Sequence, residues 1–374
     1  MKMYKIRLLP TKEQEELMWK HIGCCRFIWN WGLEIQKGEY SSNGKKLSSF
    51  DLIKKLTPLK KEERYAWLRE VSNASLQTTL RDLDKTYSNF FRGAGFPKFK
   101  SKKKSKPNYP IRNDNVWFLE DDLVFIQKLG KVKYQTNYNI PLWKEAKLYN
   151  PRISYVNKKW ILTVGLECEK QAPELTDKTM GIDLGVKVLC SAAFGDENIV
   201  IKNINKTANM KKKQKKLKRL QRKVSRKYHQ NGSFEKTANI LKVEEQIREL
   251  SYHISMTRQN HIHQATHKLV FMRPYRVIME DLNVSGMMKN RHLSKAIQEQ
   301  CFYEFIRQMR YKCEWNGIEF IQVDKFYPSS KICSCCGTVK SSLKLSDRTY
   351  VCPECGLTID RDYNAAINLM KYVA

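Results

Sequence analysis

Four cysteines near the end of the chain constrain its fold more than any other feature. They form two C-x-x-C-G knuckles, Cys333–Gly337 and Cys352–Gly356, with 15 residues between Cys336 and Cys352. This spacing is typical of a tetrahedral Zn²⁺ site, and each glycine lets the backbone turn beneath the thiolates. None of the seven histidines lies in this segment, so we expect one structural Zn²⁺ held by Cys333, Cys336, Cys352 and Cys355. Four protein ligands leave no open position, so this zinc should not be catalytic.

The charge of the chain indicates a polyanionic partner. Lys and Arg number 69 against 38 Asp and Glu, a formal net charge of +31. Phosphate backbones are the usual partner for such an excess, whereas no apolar run approaches the roughly 20 residues that span a bilayer. The eleven cysteines are an odd number, and four of them have metal-site spacing, which favours a reducing compartment over a disulfide framework. We therefore expect a soluble, intracellular protein that binds nucleic acid and does not associate with a membrane.

The first half of the chain combines helices with short strands. Residues 3–9 predict a strand, and Thr11-Lys12-Glu13-Gln14 has the pattern of a capping box at the start of a helix. A second helix carries an apolar stripe from Leu76 to Phe90. Alternating runs then predict strands, and together with strand 3–9 they predict a small barrel into which the helices are inserted. The runs are 123–126, 131–134, 153–156 and 160–166, the last two joined as a hairpin at Asn157-Lys158-Lys159.

The second half predicts a mixed α/β domain. Residues 178–194 indicate a buried strand, a tight turn at Gly185 and a return strand. Residues 204–270 are mostly helical, with a turn at Asn231-Gly232-Ser233 and helical faces crowded with Lys and Arg. A strand at 275–282, a helix at about 295–316 and a strand at 318–323 complete the order.

Carboxylates stand at the ends of three of these core elements. Asp183 lies in an apolar strand, Glu280 and Asp281 end another, and Asp360 and Asp362 open the terminal helix 364–371. Singly, each acid has an ordinary explanation: a strand-end Asp accepts backbone N–H groups, and Asp is a good N-cap. Three such carboxylates can also hold two Mg²⁺ ions for an in-line attack on a phosphodiester. The order of elements fits an RNase H-like core.

The chain resembles the TnpB proteins of bacterial insertion sequences, which are RNA-guided DNA endonucleases related to type V CRISPR effectors. The resemblance runs over nearly the whole chain, and the motifs are more specific in this order than singly. They are Tyr4–Thr11, Leu80–Lys85, Gly95–Ser101, Gly181–Val186, Glu280–Val284, Tyr327–Ser330 and Asp360–Asn368.

The resemblance implies a multidomain α+β fold. A helical recognition lobe would be inserted in a wedge β-barrel and followed by an RNase H-like (RuvC) α/β domain with an inserted four-cysteine zinc ribbon. It implies Asp183, Glu280 and Asp362 as the catalytic ligands of two Mg²⁺ ions, in preference to Asp281 and Asp360. The expected boundaries are 1–10 and 96–175 for the wedge, 11–95 for the recognition lobe, 176–330 and 357–374 for RuvC, and 331–356 for the ribbon.

The function that the resemblance implies is guided cleavage of double-stranded DNA. The guide would be an omega RNA transcribed from the transposon end, and the protein would read a short motif beside the target. Asn73 and Gln77 are residue types that read adenine edges, although a helix cap and an exposed polar residue explain them equally well. Further candidate contacts to nucleic acid are Lys98, Lys100, Lys212, Lys216, Arg219 and Arg222, with Lys340 and Lys344 in the ribbon. For any single lysine, a solvated helix face is the alternative.

Three other functions stay open. A miniature type V CRISPR effector would use a guide from a repeat array. A nuclease-dead, RNA-guided repressor is disfavoured because all three acids are present. A transposase that joins DNA ends uses the same carboxylate trio, and a requirement for bound RNA separates it from a guided nuclease.

Overall fold

The chain forms two units, Met1–Glu169 and Lys170–Ala374, and each is described by itself. The structure is a computed structural model that describes residues 1–119, 122–137, 147–167, 173–231, 235–324, 326–343 and 347–373. The predicted turn residues Gly232 and Ser233 and the ribbon residue Lys344 lie outside these ranges. Within them, no helix is long and apolar enough to cross a membrane.

The first unit contains three α-helices: α1 (Lys12–Asn43), α2 (Ser49–Leu59) and α3 (Asn73–Phe91). The predicted capping box at the start of α1 is confirmed. Thr11 Oγ1 accepts a bond from the Gln14 amide at 3.3 Å, and Gln14 Oε1 accepts one from the Thr11 amide at 3.0 Å. Helix α2 was not among the predicted elements.

A seven-stranded antiparallel sheet accompanies these helices. Strand β1 (Lys2–Leu9) lies between β7 and β5, so its neighbours in the sheet come after the helices in the chain. This confirms that the helical segment is an insertion between strands. Asn157 and Lys158 have φ of 48° and 60°, as a type I′ hairpin turn requires. The other strands are β2 (Asn108–Pro110), β3 (Val116–Phe118), β4 (Leu123–Ile126), β5 (Gly130–Gln135), β6 (Leu148–Val156) and β7 (Lys159–Leu166), in the order β2-β6-β7-β1-β5-β4-β3.

The second unit is built on a five-stranded mixed sheet. Its strands are β8 (Thr179–Leu184), β9 (Val188–Phe194), β10 (Glu197–Lys202), β11 (Arg276–Glu280) and β12 (Glu319–Val323), in the order β10-β9-β8-β11-β12. Strands β8 to β10 form an antiparallel meander, whereas β11 runs parallel to both β8 and β12. The predicted strand, turn at Gly185 and return strand are confirmed.

The α-helices described in this unit are α4 (Ala208–Asn231), α5 (Ala238–Phe271), α6 (Val284–Met287), α7 (Ser294–Gln300), α8 (Phe302–Trp315) and α9 (Arg361–Met370). The prediction of one helix at 295–316 was wrong, because α7 and α8 are separated by Cys301. This residue has a φ of 56° in the left-handed region, which ends the hydrogen bonding of one helix and begins the next at a new angle.

The two faces of the sheet are covered by different helices. Met180 and Ile182 of β8 belong to a core that includes Leu269 of α5 and Phe305 of α8. On the opposite face, Ile278 of β11 packs with Leu369 of α9. Successive side chains of a strand alternate between the faces, so the α9 face of the sheet receives every second residue.

Gly181 allows α9 to approach the sheet closely. A β-carbon at this position would lie 2.1 Å from the Ala366 carbonyl oxygen and 2.3 Å from the Met370 amide nitrogen. Both atoms belong to the backbone of α9, so a larger residue at position 181 would displace the helix itself.

We therefore expect Gly181→Ala to destabilise the second unit by about 3 kcal/mol or more, the upper range for overpacking a core. Chemical denaturation measures this loss. Gly185→Ala is the matched control, because a β-carbon there meets its nearest neighbour at an ordinary 3.4 Å. Equal stability of the two variants would contradict the assigned contact.

Candidate active site

Strand alternation places two of the predicted carboxylates on the face of the sheet that α9 covers. Asp183 lies two residues beyond Gly181, and Glu280 lies two residues beyond Ile278. The register of the parallel pair matches Met279 with Ile182, so the next step brings Glu280 beside Asp183. Asp281, by contrast, is exposed and accepts a bond from the Gln322 amide at 3.3 Å.

The third carboxylate is supplied by the first turn of α9. Asp360 is the N-cap, since its Oδ1 accepts bonds from the backbone amides of Asp362 and Tyr363 at 3.0 and 3.1 Å. The side chain of Asp362 has no part in that cap, and its carboxylate pairs with the Arg361 guanidinium at 2.9 Å. A β-carbon on Gly185 would lie 3.9 Å from Asp362 Oδ2, so the carboxylate lies against the turn that follows Asp183.

The electrostatics of the site link the three acids. Burial raises the pKa of Asp183 well above its usual range, and the charges of Glu280 and Asp362 raise it further. Arg361 acts in the opposite direction. An ionised Asp183 is therefore destabilising in the protein alone, and added cations at this point would relieve the repulsion.

The four predicted zinc ligands converge in the second unit. Their sulfur atoms all lie within 4.8 Å of one another, the only such group of His, Cys, Asp or Glu ligands among the described residues. The Cys333–Cys355 and Cys336–Cys352 sulfur pairs are 3.6 and 3.5 Å apart. Tetrahedral coordination with Zn–S bonds of about 2.3 Å places sulfurs about 3.8 Å apart, so the cluster fits Zn²⁺. Cys335 is exposed and lies outside the cluster.

The two knuckles have the same backbone geometry. The Gly337 and Gly356 amides donate to the carbonyls of Cys333 and Cys352 at 3.0 and 3.2 Å. Both glycines have left-handed φ, 77° and 70°, as the C-x-x-C-G pattern predicts. The second knuckle joins β13 (Thr349–Val351) to β14 (Thr358–Asp360), and β14 runs directly into α9.

Two further side chains support the carboxylates, and sequence reasoning assigned them no role. Ser329 donates a hydrogen bond from its hydroxyl to Glu280 Oε1. Gln300, buried at the end of α7, donates from Nε2 to the carbonyls of Gly185 and Val188 at 2.9 and 3.0 Å, and so holds the turn after Asp183. Ser329 lies in a motif quoted for the TnpB resemblance, whereas no local pattern marks Gln300.

In the first unit, Asn73 and Gln77 lie on one groove of about 480 Å³ at the start of α3. The groove also receives Lys60, Arg69, Arg112 and Lys128. Asn73 is exposed, and its Oδ1 accepts a bond from Lys60 Nζ at 2.7 Å. It therefore stands at the helix start without being the N-cap, which is Ser72.

The structure distinguishes Lys98 from Lys100. Lys98 is exposed, and its carbonyl accepts a bond from Trp29 Nε1 at 3.0 Å. The Lys100 ammonium lies 3.4 Å over the Trp29 ring, and burial lowers the pKa of this lysine to about 8. Lys100 thus lines a cleft, together with Arg26 and Arg152, and does not lie on an open surface.

Helix α4 presents a basic surface in the second unit. Lys212, Lys216 and Arg219 are exposed and line one depression with Lys211 and Lys215, and Arg222 is exposed one turn further on. Lys211, Lys215 and Arg219 recur at i, i+4 and i+8, and Lys212 and Lys216 at i and i+4, so these cations follow one face of the helix.

Three family models match parts of the chain. The model described as a helix-turn-helix domain matches residues 1–45, the model described as "Probable transposase" matches 163–291, and the model described as "Cas12f1-like, TNB domain" matches 302–369. The last match begins at α8 and contains the whole zinc ribbon.

Two relatives match along 98% of this chain, and both are named "Putative RNA-guided DNA endonuclease". The protein from Streptomyces pristinaespiralis is 29% identical over 372 residues, which cover 88% of its length. The protein from Escherichia coli (strain K12), whose name adds InsQ, is 29% identical over 387 residues, which cover 91% of its length. The chain thus matches proteins of this name along nearly its whole length, which supports the resemblance to the TnpB family.

A solved structure shares the fold of this chain. It is the cryo-EM structure of a Cas12f1–sgRNA–target DNA complex, with a TM-score of 0.64 and 14% identity over 96% of this chain and 83% of the other. The likeness confirms the predicted multidomain α+β fold.

Replacement of Asp183 by its neutral isostere should stabilise the folded chain. The pKa of Asp183 is raised on folding, so its ionisation opposes folding at pH values above the unfolded value of about 3.9. At pH 7, without added divalent cations, we expect Asp183→Asn to unfold at higher denaturant than wild type. The gain should exceed the ~0.5 kcal/mol typical of surface substitutions and should vanish as the pH falls to about 4. The exposed Asp281→Asn is the control, and equal stability of Asp183→Asn and wild type at pH 7 would contradict the assigned repulsion.

The predicted zinc ligands of the ribbon can be tested by measuring the metal content of cysteine variants. We expect purified protein to contain about one zinc per chain by elemental mass spectrometry. Cys352→Ser should lose the metal and lower the thermal stability, because a structural zinc contributes folding free energy directly. Cys335→Ser should retain zinc. Loss of zinc from Cys335→Ser, or its retention in Cys352→Ser, would show that the ligand set is different.

Proposed function

We propose that this chain is a TnpB-type, RNA-guided endonuclease that cleaves double-stranded DNA by Mg²⁺-dependent phosphodiester hydrolysis. The observation that carries this proposal is the convergence of Asp183, Glu280 and Asp362 from β8, β11 and α9 on one face of a mixed sheet. The names of the two relatives that match along 98% of the chain support the same activity.

In this proposal the second unit is the RuvC nuclease. Its strand order, with an antiparallel meander followed by two parallel strands, supports an RNase H-like core. The proposed RuvC segments are 176–330 and 357–374, with the ribbon 331–356 as a target nucleic-acid-binding insert. The proposed recognition lobe is 11–95, and the proposed wedge is 1–10 with 96–175, which extends a few residues past Glu169, the end of the first unit.

The donor set suits a hard divalent cation. Carboxylate oxygens are the ligands that Mg²⁺ prefers, and the pKa of Asp183 is raised first by burial and then by the charges of Glu280 and Asp362, a cost that a bound cation would relieve. Asp183, Glu280 and Asp362 would hold two Mg²⁺ ions, which supply an activated water and charge stabilisation for the leaving oxygen.

Other residues of the chain position the three carboxylates and offset part of their negative charge. Gln300 holds the turn after Asp183, Ser329 orients Glu280, and α9 fixes Asp362 against the sheet. Arg361 offsets part of the negative charge by its pair with Asp362. These contacts all lie within the second unit, so the carboxylates are held in place before nucleic acid binds.

The partners in this proposal are an omega RNA from the transposon end and a target duplex with an adjacent motif. The exposed face of α4, with Lys212, Lys216, Arg219 and Arg222, would bind phosphates through its cations. The groove with Asn73 and Gln77 combines amide side chains with four cations, which suits the reading of bases next to a phosphate backbone. Lys98 would contact phosphates, whereas Lys100 would act within its cleft.

We expect the purified protein to carry RNA and to cut a duplex that matches that RNA when Mg²⁺ is supplied. Asp183→Ala should reduce cleavage by at least about 10³-fold and leave guide-dependent DNA binding within about twofold. Cleavage assays and gel-shift titrations on the same preparation measure both quantities. Asp281→Ala is the matched control and should cut normally. Undiminished cutting by Asp183→Ala would refute the active-site assignment, and RNA-independent cutting or end joining would refute the guided mechanism.

A miniature type V CRISPR effector is the second candidate function. The match of residues 302–369 to a Cas12f1-like domain and the shared fold favour it. Sequencing of the co-purifying RNA separates the two candidates, because a TnpB guide RNA is transcribed from a transposon end and a CRISPR guide from a repeat array.

A further inference from the structure

The segment that joins β12 to the first zinc knuckle is held by side chains of α9. Residues 328–334 have no long helix or strand, so their position depends on individual contacts. Asn364 and Asn368, four residues apart on α9, lie on one face of the helix and are 0% and 4% exposed. Ala366 and Leu369 of the same helix contact the sheet. The helix is therefore buried on two sides.

The two amides attach the zinc knuckle to the helix. Asn364 Nδ2 donates to the Ile332 carbonyl at 2.7 Å, and its Oδ1 accepts from the Ser334 amide at 3.0 Å. Ile332 and Ser334 flank the zinc ligand Cys333, so the Asn364 side-chain amide is hydrogen-bonded to the backbone on both sides of that ligand.

Helix α9 also binds Ser329, the residue that orients Glu280. Asn368 Nδ2 donates to the carbonyls of Ser329 and Ile332, both at 2.7 Å. Ser329 is 1% exposed, and its hydroxyl donates to Glu280 Oε1. A continuous series of buried hydrogen bonds thus runs from the backbone around Cys333, through α9, to one oxygen of the Glu280 carboxylate.

We propose that Ser329, Asn364 and Asn368 form a positioning clamp that makes the orientation of Glu280 depend on the zinc-bound ribbon. This inference rests on the proposed function, in which Glu280 is a magnesium ligand. The Ser329 hydroxyl fixes one carboxylate oxygen and leaves the other to face the site. Loss of zinc would release the Cys333 knuckle, loosen residues 328–334 and thereby free the Ser329 hydroxyl from its position. The ribbon then affects two of the three carboxylates: Asp362 through β14, and Glu280 through the clamp.

The first test is the Mg²⁺ requirement of Ser329→Ala. Loss of a side chain that supports a metal ligand typically costs 10- to 100-fold in metal affinity. We expect the Mg²⁺ concentration for half-maximal effect to rise about tenfold or more, both in cleavage and in the thermal shift that Mg²⁺ causes without nucleic acid. Zinc content should not change. Ser330→Ala removes a hydroxyl at the next position and should behave as wild type. An unchanged Mg²⁺ midpoint in Ser329→Ala overturns the clamp.

The second test is coupling along the series of bonds. Asn368→Leu removes the amide while keeping the number and branching of the side-chain heavy atoms, and it should raise the Mg²⁺ midpoint in the same direction. If the residues act in series, Ser329→Ala should add little to the effect of Asn368→Leu or of the zinc-free Cys352→Ser variant. Multiplicative effects would show that Ser329 acts independently of the ribbon. If Asn368→Leu does not fold, the pair of Ser329→Ala and Cys352→Ser still decides the question.

The outcomes also separate this inference from the proposed function. If Asp183→Ala abolishes cleavage while Ser329→Ala keeps the wild-type Mg²⁺ midpoint, the nuclease assignment stands and the clamp is wrong. If wild type shows no Mg²⁺-dependent thermal shift or cleavage, the proposed function itself is wrong.

Discussion

The second unit depends on the close approach of its last helix to strand β8 at Gly181. The Ala366 carbonyl and the Met370 amide lie where any other residue would place its β-carbon. Helix α9 therefore lies on the backbone of the strand and not on a layer of side chains. Because packed interiors deform little, this contact fixes the distance between the sheet and the first turn of the helix. Asp362 and Asp183 face each other as a consequence, although 178 residues separate them in the chain.

The same geometry has an electrostatic cost. Three carboxylates share one end of the sheet, and the burial of Asp183 strengthens their repulsion, as its raised pKa shows. One guanidinium, that of Arg361, offsets this repulsion only in part. The opposite face of the sheet carries a continuous apolar core from α5 and α8, which stabilises the unit independently of the acids. A large core thus allows the fold to tolerate a site that is unfavourable without bound cations.

Local sequence patterns correctly predicted the structural features that depend on local interactions. The cysteine knuckles, the capping box at Thr11 and the turn at Gly185 each depend on residues that are close in the chain. The same reasoning missed α2, although Ser48 and Asp51 form a second capping box at its start. The sequence pattern also predicted α7 and α8 as one helix. The single residue with left-handed backbone between them, Cys301, does not interrupt the apolar spacing on either side. In these two cases the signal was weak, not absent.

Other features of the site had no local signal. The sequence spacing alone did not show which of Glu280 and Asp281 belongs to the site. Strand alternation places the two side chains on opposite faces of the sheet, but it does not show which face α9 covers. The contact between Ile278 and Leu369 settles which face each residue occupies. Gln300 and Asn368 look like ordinary polar residues in helices, since their partners lie 115 and 39 residues away. Such long-range hydrogen bonds follow from tertiary structure and not from periodicity.

The two large insertions of the second unit are both anchored to segments that carry carboxylates. The α4–α5 pair is held at its base by Arg258, which pairs with Glu299 at 3.3 Å. The next residue, Gln300, holds the turn after Asp183. The zinc ribbon continues into α9 through β14 and reaches Glu280 through Ser329. A displacement of either insertion is therefore passed to a carboxylate through one or two buried side chains. In a guided nuclease, this arrangement would make the geometry of the acids sensitive to what the basic helix and the ribbon bind.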